Sequence, residues 1–170
     1  MNEFWHIVSD CRTGATGLAA FNSALERTLV ALPREEVADF RLKWLACSEE
    51  LYSWEVWDAS ALMLGGTDDD SFMDFRSWVI SLGREAYASV LANADSLAEY
   101  GQTIEEAESV AAEQLAGLLT RTYRAMAGED PPNPPEREVL SQPSGQRTNI
   151  RDRREIEAHF PRISDWLSRG

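Results

Sequence analysis

Apolar residues recur at intervals of three and four along most of this chain, the spacing that lines one face of an α-helix. Leu18, Phe21, Leu25, Leu29 and Leu32 trace one such face, and Val37, Phe40, Trp44, Cys47 and Leu51 trace the next. Pro33 divides the two, since proline ends one helix and suits the first turn of another. A shorter segment with Phe4, Trp5, Val8 and Cys11 comes first and breaks at Thr13-Gly14-Ala15-Thr16-Gly17. Trp57, Ala61 and Leu64 share a face of a fourth helix. Gly65-Gly66 stops it, because glycine takes the left-handed conformation that closes a helix. Phe72, Phe75, Val79 and Leu82 predict a fifth helix from Asp69 to Leu82, with Gly83 as a bend before Arg84 to Leu91. A long last helix is expected to open at the capping-box pattern Thr103-Ile104-Glu105-Glu106 and to run to Met126 before Gly128. No stretch alternates with the period of a strand. The expected fold is all-α, a compact bundle of about six or seven helices.

After residue 128 the pattern changes. Residues 129–148 hold five of the seven prolines, a density that excludes a helix and favours an extended linker. Beyond it, Ile156, Phe160, Ile163, Trp166 and Leu167 form a short apolar stripe among arginines. A stripe of that length does not fold alone, so the tail at 149–170 is expected to dock on this chain's body or on a neighbour's. The domain plan is therefore a helical body at 1–128, a Pro-rich linker at 129–148 and a basic tail at 149–170.

Charge sharpens that division. The chain has 16 basic and 29 acidic residues, a net charge of -13. Residues 1–146 carry a net of -15, while residues 147–170 carry six arginines against four acids. An acidic body repels phosphate backbones and anionic lipid, so neither nucleic acid nor membrane is an expected partner. A basic protein, or self-association through the tail, is. Cys11 and Cys47 are too few for a disulfide scaffold, and the N-terminus lacks the basic and apolar regions of a signal peptide. A cytoplasmic setting is expected.

The candidate chemistry lies between residues 54 and 100. Asp68-Asp69-Asp70 stand where a helix begins, and carboxylates there cap backbone N–H groups. Three acids in a row also suit a divalent cation, although the spacing does not follow an EF-hand. Arg76 falls at the edge of the apolar face, where its stem can be buried and its fork can meet a carboxylate or an anionic ligand. Asp95 or Asp58 is the expected partner. Trp57 and Trp78 read as core, or as the aromatic rim of a pocket. His6 and His159 are far apart in sequence. There is no HExxH, CxxC, P-loop or GxSxG pattern, and no cofactor is expected.

These residues resemble a small bacterial family of unknown function, DUF4240. The likeness rests on Phe4-Trp5, on Leu32-Pro33 with Phe40, and above all on the central block. There Trp57, Ala59, Gly65, Gly66, Asp69, Asp70, Phe72, Phe75, Arg76, Trp78, Ile80 and Gly83 stand at the family's spacing. Asn93-Ala94-Asp95-Ser96-Leu97-Ala98 is similar to its next turn, and Tyr123 and Gly128 to its end. Asp58, Thr67-Asp68 and Asn93-Ala94 depart from its pattern. The resemblance spans residues 4–128 and implies a helical fold, with no activity attached.

Two functions fit the residues best, ahead of a small-molecule binder with an apolar helical pocket. The first is a non-enzymatic interaction or regulatory module, acidic and rich in aromatic anchors. The alternative is a metal-dependent or anion-binding enzyme, with Asp69, Asp70, Arg76 and Asp95 gathered near the Gly-Gly loop beside Trp57 and Trp78.

Overall fold

A computed structural model of the chain describes residues 3–134 and 142–169. Among these are nine α-helices and one long 3₁₀ segment. The helices are α1 (Glu3–Arg12), α2 (Leu18–Val30), α3 (Arg34–Glu50), α4 (Trp54–Leu64), α5 (Asp69–Ser81) and α6 (Arg84–Ala92). The 3₁₀ segment (Ala94–Glu108) precedes α7 (Val110–Ala127), and α8 (Arg153–His159) and α9 (Pro161–Leu167) complete the order. The fold is all-α, with more helices than the apolar pattern predicts. Among the described residues the one β-type pairing is a parallel bridge between Ser53 and Ser144.

Helix α5 is the centre. It packs on α2, α3, α4, α6, α7 and the 3₁₀ segment. Phe72, Phe75, Trp78, Val79 and Ile80 are fully buried, and Ser77 and Ser81 are buried with them. The spacing predicts one buried face through Phe72, Phe75, Val79 and Leu82, with Trp78 on the far edge. With neighbours on nearly every side, the helix buries that edge too. Polar positions survive there by bonding locally: the Ser81 hydroxyl donates to the Trp78 carbonyl at 2.7 Å.

The surrounding helices follow from their stripes. Phe4 of α1 meets Phe40 and Trp44 of α3, with ring centroids 4.7 and 6.2 Å away. Leu18, Phe21, Leu25 and Leu29 of α2 are buried, and the Asn22 side-chain amide donates to the Ala111 carbonyl of α7 at 2.7 Å. Gly65, at φ 76°, closes α4 in the left-handed conformation.

One predicted boundary is wrong. The capping box at Thr103 does not form, and α7 begins only at Val110. The Thr103 hydroxyl donates instead to the Tyr100 carbonyl at 3.1 Å, and Glu106 pairs with Arg12 of α1 at 3.1 Å. Both halves of the box are thus engaged elsewhere. Ala94, Leu97, Gly101, Ile104 and Ala107 are buried at a spacing close to three, the period of a 3₁₀ helix. Tertiary contacts override the local signal.

The residues expected as a linker lie partly outside the described ones, at 135–141. On either side, Pro131 and Pro143 are buried. The tail follows with Phe160 and Ile163 in the core. Helix α9 packs on the 3₁₀ segment and on α4. The Trp166 indole lies so close over Gly101 that a β-carbon at that position would collide with it.

Truncating the central helix tests this arrangement. Phe75→Ala is expected to cost ~3–5 kcal/mol in denaturant unfolding. A loss below about 1 kcal/mol would mean that Phe75 is not enclosed as described.

Candidate functional site

The structure separates the side chains that the sequence suggests as one site. Asp68, rather than Asp69 or Asp70, caps α5: its carboxylate accepts from the Ser71 N–H at 2.9 Å, and the Ser71 hydroxyl accepts from the Asp68 N–H at 2.9 Å. That hydroxyl holds the Asp68 carboxyl below its ordinary pKa. Asp69 and Asp70 occupy the first turn, exposed, where negative charge complements the helix dipole. Burial holds the next acid, Asp74, above its ordinary value, and Glu113, Asp70 and Asp68 add to the effect.

Arg76 turns away from these acids, and its partner is neither Asp95 nor Asp58. Its guanidinium donates to the Ser48 carbonyl in the last turn of α3 at 2.9 Å. It lies over the Tyr52 and Phe72 rings at 4.9 and 5.0 Å. Cations suit the negative end of a helix, and aromatic faces attract the guanidinium plane. Burial lowers the Arg76 pKa, with Tyr52 and Glu49 opposing the shift. Trp57 is half-buried against Phe72, with centroids 4.5 Å apart. Trp78 packs against Phe75 with the rings tilted and centroids 5.4 Å apart, and it is fully buried. Among the described residues no hydrogen bond or ion pair joins any two of Asp69, Asp70, Arg76 and Asp95. Nor are three His, Cys, Asp or Glu side chains grouped among them as metal ligands would be.

What the fold does assemble is a docking groove for the tail, built on two buried carboxylates. Asp95 is 2% exposed. Its oxygens accept from the backbone N–H groups of Arg162 and Ile163 at 3.0 and 2.9 Å. These are the second and third residues of α9, whose own N-cap, Phe160, has no side-chain acceptor. Asp95 therefore supplies, from the 3₁₀ segment, the capping carboxylate that the tail lacks. Asp58 in α4 is 0% exposed and accepts from the Thr148 N–H at 2.7 Å and from Arg147 at 3.3 Å. The Arg147 guanidinium lies over Trp54, 4.4 Å from the ring centre. Glu99 pairs with the Arg162 side chain at the rim.

The backbone adds a third contact. The Trp54 N–H donates to the Ser144 carbonyl at 2.8 Å, and the Ser144 N–H donates to the Tyr52 carbonyl at 3.0 Å. The returning chain is thereby fixed beside the start of α4. A cleft of about 590 Å³ remains between this strand-like return, α4 and α6.

A family model now gives the groove a context. Proteins of unknown function, DUF4240, match over residues 1–125. The chain belongs to the DUF4240 family. No curated protein and no solved structure matches it significantly. The family match covers α1 to α6, the 3₁₀ segment and nearly all of α7, so it includes Asp58, Asp95, Glu99 and Gly101. It ends before the tail that these residues hold. Sequence reasoning named Asp95 and Asp58 but assigned them to Arg76. The excess of arginine after residue 146 was the signal that pointed instead to the tail.

Two substitutions probe these assignments. Asp95→Ala leaves two buried N–H groups of α9 without an acceptor, a loss of about 1–3 kcal/mol in tail docking. Hydrogen exchange at 161–169 should accelerate while that of α5 stays slow; unchanged exchange in the tail would remove Asp95 from this role. Asp74→Asn tests the acidic edge. A carboxyl with a raised folded pKa favours the protonated state, so its ionised form weakens the fold at neutral pH. The variant should melt ~1–2 °C higher at pH 7. That gain should vanish below pH 3.8, the ordinary value, where the wild-type group is neutral in either state. A gain independent of pH would point to another cause.

Proposed function

We propose that this protein is a cytoplasmic, non-enzymatic interaction module of bacterial type whose family domain receives a basic, amphipathic helical segment. The observation that carries the reading is Asp95, a buried carboxylate on the family domain that caps a helix lying outside the family match. Asp58 and Glu99 add charge recognition of Arg147 and Arg162. Phe160 and Ile163 supply the apolar anchors. In this chain the occupant is its own tail. A partner bearing an apolar stripe flanked by arginines would make the same contacts, as would the tail of a second copy.

The body's acidity supports the choice of a basic protein over nucleic acid or anionic lipid, since its charge of like sign repels both. No helix among the described residues is long and apolar enough to cross a membrane. Cys11 and Cys47 are unpaired, which fits a reducing compartment, and burial raises both thiol pKa values. Arg76 and Asp95, which the enzyme reading joins to Asp69 and Asp70, bond the Ser48 carbonyl and the start of α9 instead, which supports the interaction reading.

The test is exchange of the tail. A protease site is placed within residues 135–141 of the full chain, and the folded protein is then cut. The pieces should co-elute at low salt. A fluorescent peptide spanning 142–170 should then replace the cut tail, and added salt should weaken its binding. Asp58→Ala with Asp95→Ala should lower peptide affinity about tenfold or more. Separation of the pieces with no uptake of peptide, or uptake indifferent to both substitutions, would overturn the proposal.

A further inference from the structure

The cleft of about 590 Å³ beside the docked tail adjoins the groove that holds α9, with Arg147, Thr148 and Phe160 common to both, and its size is that of a metabolite site. Its apolar side is formed by Val56 of α4 and by Val90 and Leu91 of α6. Two carboxylates face it, Glu50 at the last position of α3 and Glu55 in the first turn of α4.

Each carboxylate is held in place by one bond. Glu50 accepts from the Tyr87 hydroxyl at 2.6 Å, and Glu55 accepts from the Ala94 N–H at 3.1 Å. Each bond engages one oxygen and leaves the second for another donor. The one arginine among the lining residues, Arg147, is committed to Asp58 and to the Trp54 ring. Among the described residues neither Glu50 nor Glu55 forms an ion pair. The C-terminal ends of α3 and α6 lie at this cleft and add their partial negative charge, while the N-terminal end of α4, which carries Glu55, also opens on it.

From this geometry we infer that the cleft binds an organic amine: an ammonium group held by Glu50 and Glu55, with its carbon skeleton against Val56, Val90 and Leu91. An inorganic cation would leave the apolar wall unused, and an anion would meet two carboxylates. A diamine matches the pair of acids best. The same chemistry comes from a free polyamine or from a lysine side chain on a peptide. The site depends on the tail being docked, because Gly145, Gln146 and His159 form its outer wall.

The experiment is calorimetric titration of the full chain with putrescine and, separately, with a neutral-ended lysine peptide; butyrate and n-butanol serve as controls. Saturable binding of one amine at a single site, with no binding of either control, is expected. Tighter binding of putrescine assigns a free diamine, and tighter binding of the peptide assigns a lysine side chain. Glu50→Gln and Glu55→Gln should each weaken binding about tenfold, the effect of losing one charge-assisted hydrogen bond. Glutamine keeps an acceptor for Tyr87 or Ala94, so the melting temperature should hold. Asp69→Asn with Asp70→Asn changes the charge by two on the surface outside the cleft and should leave binding unchanged. Absence of saturable binding, or equal loss in the Asp69/Asp70 variant, would overturn the proposal by showing either no site or a diffuse attraction to an acidic surface. Amine binding that survives when the cut tail fails to exchange would keep this site while removing the segment-receptor reading.

Discussion

The molecule is organised by one helix that is enclosed rather than merely covered. Phe72, Phe75, Trp78, Val79 and Ile80 of α5 lose essentially all contact with water, and each large side chain so buried contributes about 1.5–3 kcal/mol. The helix must therefore begin and end with its polar groups satisfied. Asp68 and Ser71 cap one end reciprocally, and the C-terminal turn closes on its own carbonyls before Gly83. Arg76 serves the same requirement at one remove, leaving the core to bond the end of α3. Asp68 and Arg76 thereby serve the burial of α5.

Around that core the buried carboxylates play a different part. A carboxylate without water is costly unless hydrogen bonds replace it, and removing its partner is usually worse than never burying it. Asp58 and Asp95 are satisfied by backbone N–H groups of the tail, with Arg147 as the one side-chain donor. Release of the tail returns both acids to solvent, so the gain on docking is the difference between hydration and these bonds. That difference is small, and Phe160 and Ile163 must supply most of the attraction. Recognition is thus set by the acids and strength by two apolar anchors.

Much of this was legible in the chain. The three-and-four spacing marked α1 to α6 within a residue or two, and Gly65 ended α4 where glycine had to. The 3₁₀ segment was misread because Thr103 and Glu106 form a sound local cap that loses to Tyr100 and Arg12. Periodicity also assumes one buried face, and so set Trp78 at an edge. Arg76 illustrates the limit most clearly. A helical wheel could place its stem at the rim of the core, but its partner is a main-chain carbonyl, which no side-chain pattern announces. Arg147 joins Glu50 and Glu55 at one cleft only because the chain returns at Ser144, some ninety residues after Tyr52.

The groove and its occupant have separate standing in the sequence, and that separation bears on how the protein works. Asp95, Glu99 and Gly101, which hold α9, lie within the family match, while α9 lies beyond it. Gly101 makes the point structurally, because its lack of a side chain leaves room for the Trp166 indole and the 3₁₀ backbone meets it directly. A surface that offers a bare backbone, a capping carboxylate and an apolar floor is matched to a short helix with an aromatic residue one turn from its start. The tail meets each of those requirements, and its Arg162 pairs with Glu99 at the rim. Binding in cis raises the local concentration of this segment far above that of any free competitor, so an external partner must match all three features or act when the tail is already displaced.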